Sequence, residues 1–234
     1  MRSIVFALLL CASAAHAAGI NLAWDTCSGE GPRVVNKSFL CDTNSGTEML
    51  VASFIVPAAA PQGVSRQELT FDVRTAGGAP LPVWWDYATL SSCRLGALGI
   101  SVTAPTTLSV CRAMYTGALP TVVVIADRFR FPGPDEMQLG FSIGPTPVPL
   151  VPGTEYFSCL LQVTHAHSTG AGACAGCMDP VSIAFTQLRV QGAGSGAPDQ
   201  FLTAPATGNV VQWQASGPTA TRRRSWRAIK ALYR

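Results

Sequence analysis

Two histidines and two cysteines fall close together in the pattern His165-x-His167-x6-Cys174-x2-Cys177, and this spacing admits two chemistries. Imidazoles two residues apart on a strand share a face, and with two thiolates they form a ligand set that suits tetrahedral zinc. A Cys-x-x-Cys pair alone is a redox dithiol where a helix N-terminus lowers the thiolate pKa. Here the pair follows Ser168-Thr169-Gly170-Ala171-Gly172 and precedes an apolar run starting at Val181, so no helix is signalled. A structural bridge pinning a glycine-rich loop is the expected use. Neither a metal nor another cofactor is expected.

Nucleophilic catalysis is poorly served, since a Ser-His-Asp arrangement would have to use His165 or His167 and no Gly-x-Ser-x-Gly elbow meets a strand-to-helix turn. A carboxylate pair for glycoside hydrolysis is spatial, not sequential, so a hydrolase stays open as a lesser alternative. Asp135-Glu136 sits in a proline-rich turn and reads as solvated. Asp42-Thr43-Asn44-Ser45-Gly46-Thr47-Glu48 offers calcium-like oxygens, but Gly46 is one residue early and Ser53 stands where a bidentate Glu is needed. Asn36-Lys37-Ser38 fits a glycosylation acceptor. The densest aromatic cluster is Trp84-Trp85-Asp86-Tyr87. Exposed, Trp84, Trp85 and Tyr87 would stack on sugar rings. Against this, alternate residues such as Trp84 fill a core.

The elements that must position these groups are strands. Gln67 to Arg74 alternates, with Leu69, Phe71 and Val73 on one face and Glu68, Thr70, Asp72 and Arg74 on the other. Further strands are expected at 48–56, 121–126, 137–143, 156–164, 181–190 and 209–214, separated by Gly- and Pro-rich turns, with a short helix or turn near Thr107 to Met114. No fixed-period repeat argues for a propeller or solenoid. The pattern predicts an all-β protein, a single jelly-roll-like β-sandwich over 18–215, stapled by disulfides.

Compartment follows from the N-terminus. Arg2, the run Ile4 to Leu10 and the small residues Ala15 and Ala17 form a secretory signal peptide over 1–17, leaving 217 residues. Cys11 is not a lipoprotein cysteine, because Leu10 precedes it. Only 12% of residues are charged, about half the usual share of roughly 25%, so Ser, Thr, Gln, Gly and Pro must cover the surface. Outside the cytoplasm the seven remaining cysteines allow three bridges and one free thiol. Proximity pairs Cys27 with Cys41, Cys93 with Cys111 and Cys174 with Cys177, leaving Cys159 in an apolar strand. In the chain-entropy model each of the first two loops contributes roughly 3 kcal/mol.

The net charge of +3 divides unevenly. Thr221 to Arg234 carries Arg222, Arg223, Arg224, Arg227, Lys230 and Arg234 and no acid, while the chain between Ala17 and Thr221 has 9 basic and 13 acidic residues. After a polar linker, Trp226, Ile229, Leu232 and Tyr233 fall on one stripe of a short basic helix, so 216–234 reads as linker and amphipathic tail. A helix this short orders only on contact. Three uses compete: an anchor for an anionic envelope surface, an address read by sorting machinery, and packing on the chain's own acidic body. Nucleic acid is not an expected partner.

The segments Gly19 to Trp24, Cys41 to Gly46, Gly170 to Cys177 and Trp226 to Arg234 resemble those of uncharacterised exported bacterial proteins with a cysteine-containing β-rich body and a basic tail. The resemblance implies bacterial secretion and no activity. The expected function is a secreted or envelope-associated, non-catalytic binding or structural module. A carbohydrate-binding module built on Trp84, Trp85 and Tyr87 is the alternative.

Overall fold

Alternation of apolar side chains carries through into two sheets. The computed structural model describes residues 17–58, 63–87, 92–115, 121–124, 130–144, 149–194 and 196–215. Residues 1–16 of the expected signal peptide lie outside the described residues, as does the tail with Arg222, Arg223, Arg224, Trp226, Arg227, Lys230 and Tyr233. Thirteen strands are described: β1 (Gly19–Trp24), β2 (Asn36–Lys37), β3 (Thr47–Ile55), β4 (Val64–Thr75), β5 (Leu98–Ser101), β6 (Arg112–Ala113), β7 (Thr121–Val124), β8 (Arg130–Gly133), β9 (Glu136–Gly144), β10 (Glu155–Thr164), β11 (Val181–Gly192), β12 (Gln200–Leu202) and β13 (Val210–Trp213). No α-helix occurs among the described residues; the stretch around Thr107 is a turn leading into β6.

One sheet runs β1-β3-β10-β5 with β6 on β10, and the other runs β2-β13-β11-β4-β9-β7 with β12 on β11 and β8 on β9. Side chains from both fill one core, with Leu22, Phe54 and Leu161 from the first and Leu69, Phe71, Ile183 and Val211 from the second. Phe71 stacks on Phe185 at 4.7 Å. In β10 the register shifts between Phe157 and Cys159. The extra residue, Ser158, lets Tyr156, Cys159 and Leu161 face the core while Phe157 and Leu160 face outward. Buried Ser158 donates to Gln67 Oε1 of β4 at 2.7 Å, tying the sheets through a polar contact.

The bridges are Cys27–Cys111, Cys41–Cys177 and Cys93–Cys174, and Cys159 is a buried free thiol. This replaces the neighbour pairing expected from the sequence. The reason is topological: each expected pair brackets one loop, whereas the sheets bring together loops from distant parts of the chain, two bridges at one end and Cys27–Cys111 over the outer face of the β1-β3-β10-β5 sheet. The bridges close 84, 136 and 81 residues, about 4.5–5 kcal/mol each in the chain-entropy model when taken singly. Cys174 and Cys177 serve different partners. Gly176 between them has φ +91°, and any side chain there would overlap Pro82, so the spacing serves close loop packing.

Loops 38–46, 79–87 with 92–97, and 165–180 converge over one end of the core, and Trp24, Trp84, Trp85 and Trp213 lie beneath them. Trp84 stacks on Trp213 at 5.0 Å, Trp85 meets both rings edge-on, and Trp24 lies 6.0 Å from Trp213. The guanidinium of fully buried Arg94 sits 3.4 Å above the Trp84 ring. It donates through Nη1 to Trp84 O at 3.1 Å and to Tyr87 Oη at 3.4 Å, and through Nη2 to Thr164 O. Burial pushes the Arg94 pKa down, with Tyr87 beside it pushing back.

Arg94→Met preserves length but leaves two buried carbonyls without donors. It should lower stability by about 3 kcal/mol, or about 6–12 °C in Tm. Calorimetry with near-UV circular dichroism of the tryptophans checks this, and an unchanged Tm would show that the guanidinium adds nothing to the cover.

Candidate functional site

The residues that sequence singled out are dispersed or covered. Trp84, Trp85 and Tyr87 are 0%, 1% and 5% exposed, so the stacking platform is corrected to core: Trp84 and Trp85 occupy a 3-10 turn (Val83–Trp85) pressed inward, its Trp84 N–H donating to Ala175 O at 2.9 Å. Cys174 and Cys177 are consumed by separate bridges. His165 contacts Ser45 O through Nδ1 and Glu48 Oε1 through Nε2, both at 2.9 Å, and stacks on Phe39 at 3.6 Å; His167 Nδ1 lies 3.1 Å from Gly172 O. The four residues therefore do not converge as one ligand set. In the calcium-like turn, Asn44 Oδ1 accepts the backbone N–H groups of Ser168 and Thr169, which ties two loops together.

Carboxylates do come together in pairs, each around a cation. Lys37 lies 2.7 Å from Asp25 and 2.6 Å from Glu48. Arg74 lies 3.4 Å from Asp72 and 2.5 Å from Glu136, and Arg189 lies 3.2 Å from Glu68 and 2.6 Å from Asp199. In each case a protein cation fills the space between the acids that a scissile bond would need.

The built polar site lies on the outer face of the β1-β3-β10-β5 sheet. Strand alternation sends Ile20, Leu22 and Trp24 to the core and turns Asn21 outward, opposite Ser53 of β3. Over most of this face, loops around 25–33 and 102–111 cover a second small core of Cys27, Val51, Cys111, Phe157 and Leu160. The cover is pinned by Cys27–Cys111 and by Glu30, whose carboxylate accepts the N–H groups of Cys27 at 3.1 Å, Val110 at 3.0 Å and Ser109.

Where the cover stops, a cleft of about 270 Å³ opens between Asn21, Ser28, Glu155 and Thr207 on its polar side and Ile55 and Val110 on its apolar side. The Glu155 carboxylate is held from four directions. Oε1 accepts from Asn21 Nδ2 at 3.2 Å, Ser28 N at 3.2 Å and Ser53 Oγ at 2.5 Å, and Oε2 accepts from Gly29 N at 3.1 Å. Asn21 Oδ1 in turn accepts Thr207 N at 2.9 Å, and Thr207 Oγ1 lies 3.0 Å from Asn21 Oδ1 and 2.9 Å from Ser28 Oγ. Thr207 has one hydroxyl proton. If it goes to Asn21, Ser28 donates to Thr207 and keeps its own lone pairs for the cleft. The site thus presents acceptors, Glu155 Oε2 and Ser28 Oγ, beside an apolar wall. Sequence reading missed it because its hydrogen-bonded partners are 102 to 186 residues apart. The available signal was one polar residue, Asn21, inside an apolar strand.

No protein-family model and no curated protein matches the chain. Among solved structures it is similar to ACE19, the collagen binding subdomain of Enterococcus faecalis surface protein ACE, at 9% identity and a TM-score of 0.23, over 76% of this chain and 92% of that one. At that score the likeness carries no argument.

Glu30 makes the cover acid-sensitive. Burial pushes its pKa up, but the N–H groups of Val110, Cys27 and Ser109 outweigh this and hold it below its ordinary 4.5. A carboxylate depressed on folding contributes stability above its unfolded pKa and loses it as pH falls through the folded value. Glu30→Gln should therefore be less stable than native at about pH 6, with the gap narrowing by about pH 3, read by thermal unfolding at both.

Proposed function

We propose that this chain is a bacterial secreted or envelope-associated module that binds or builds and does not catalyse, with the Glu155 cleft as its ligand site and residues 216–234 as its means of attachment. The observation that carries this reading is the cleft itself: a carboxylate fixed by four donors and a hydroxyl pair that leave acceptors facing a small apolar-walled space. It suits a ligand rich in hydrogen-bond donors, such as one sugar ring of a glycan. The carbohydrate alternative thus moves from the tryptophans to the opposite, outward side of the β1-β3-β10-β5 sheet. Three disulfides fit an oxidising compartment, and no helix among the described residues is long and apolar enough to cross a membrane. We read the winding as jelly-roll-like, since consecutive β3 and β4 pair antiparallel with β10 and β9 in the two sheets.

A glycan array probed with the native chain and with Val110→Trp tests the cleft. Val110 is exposed and makes no side-chain clamp, so the indole fills the space without loosening Glu155. Retention of a defined glycan by native protein and its loss in the variant, at unchanged Tm, is expected. Equal retention by both, or none by native protein, overturns the cleft as a glycan site.

Attachment is tested on vesicles containing anionic lipid. Six cations at roughly 1 kcal/mol each near such a surface should give retention that falls steeply as salt rises. Replacing the six by Gln should abolish it and leave Tm unchanged. Salt-independent retention would instead favour a docking peptide read by shape.

A further inference from the structure

The described chain ends in an apolar groove. Ser38, Phe39, Leu40, Met178, Pro180, Gln214 and Ala215 line a space of about 460 Å³. Leu40 and Met178, 77% and 57% exposed, are among the most exposed large apolar side chains described. The floor is fixed: Cys41–Cys177 joins the two walls, and Gln214 accepts Phe39 N at 3.3 Å while donating to Phe39 O and, at 3.4 Å, to Cys177 O. Gln214 itself has φ +50°, so the backbone turns there as it reaches the groove. Beside the walls in sequence stand Asp42 and Asp179, both exposed and neither in an ion pair among the described residues.

We propose that this groove seats the chain's own C-terminal segment, with Trp226, Ile229 and Leu232 in the apolar space and Arg222 to Arg224 beside Asp42 and Asp179. Three observations favour this occupant. The described chain ends inside the groove, at Ala215. The segment beyond carries the apolar stripe the groove lacks and the cations its rim lacks. The spacer Ser216 to Thr221 reaches at most about 20 Å when extended, which keeps the stripe close to the body and lets it fold back. Seated this way, the segment keeps its apolar residues out of water while Arg227, Lys230 and Arg234 stay available to an anionic surface. The proposal deepens the attachment reading: contact with a surface is by charge, with the stripe sheathed against the body. It does not require that such a surface be bound.

Trypsin cleavage after Arg227 and Lys230, followed by mass spectrometry on the full native chain, tests it. Cleavage should be at least about tenfold slower in native protein than in Leu40→Asp, Met178→Asp or Trp226→Ala, because proteolysis tracks the undocked population. Phe201→Asp, equally exposed but at the far end of β11, should leave protection intact. Leu40 and Met178 are exposed, so Tm should hold in both variants. Equal rates in native and groove variants overturn the proposal. Protection that grows with protein concentration also overturns it, in favour of a second copy's tail. Vesicle retention measured on the same variants separates the two readings: if no variant is retained but protection differs, the groove stands and surface attachment falls.

Discussion

The loops at one end of the molecule depend on a buried cation. A guanidinium taken from water into a protein interior meets a desolvation penalty of several kcal/mol unless its charge and donors are engaged. Arg94 is engaged by the Trp84 face, the Tyr87 ring and hydroxyl, and the carbonyls of Trp84 and Thr164. Its Nε alone makes no hydrogen bond among the described residues. Because the neighbouring residue is Cys93, bridged to Cys174, the charge is introduced by a loop that cannot withdraw. Trp84 is thereby held between Arg94 and Trp213, and β13 is tied to the cover through Trp213 Nε1 and Cys177 O at 2.9 Å.

The opposite problem arises on the outer face of the β1-β3-β10-β5 sheet. Val51, Phe157 and Leu160 point away from the main core and need burial of their own. Loops supply it, and loops have backbone groups that must be satisfied. Glu30 satisfies those of Cys27, Ser109 and Val110, and Glu155 those of Ser28 and Gly29. Two carboxylates thus do for this cover what strand pairing does inside the sheets. The cleft exists because the second of them stands at the margin, where one oxygen has fewer partners than the other.

Period-two alternation made β4 legible, a β-branched apolar stretch β3 and a continuous apolar run β7, while Gly- and Pro-rich turns bracketed β9, β10 and β11. β1 escaped notice because it is six residues long and its outward positions are Gly19, Asn21 and Ala23, so one polar side chain is the whole contrast between its faces. The loops were opaque for another reason. Trp84-Trp85-Asp86-Tyr87 looks the same whether a turn presses it inward or leaves it in water, and only contacts with Ala175, Ser168 and Arg94 decide. Local spacing also misled at Cys174 and Cys177, where a two-residue gap suggests one bridge and loop convergence makes two. The Glu155 cleft joins β1, β3, β10 and the loops that carry Ser28, Val110, Gly153 and Thr207, and no pattern within one segment encodes such a meeting.

The interleaving of the bridges bears on how the chain is oxidised. A polypeptide emerging N-terminus first exposes Cys27 and then Cys41 long before Cys111 and Cys177 arrive. An oxidant acting on the growing chain would join the first two thiols, and that linkage must later be undone. Maturation therefore calls for thiol–disulfide shuffling through mixed disulfides, beyond simple electron removal. Once the chain has folded, Cys159 is a poor agent for it: burial pushes its thiol far up and withholds the attacking thiolate. A host equipped only with an oxidase would accumulate misbridged chains, whereas one with an isomerase would yield the three long-range crosslinks.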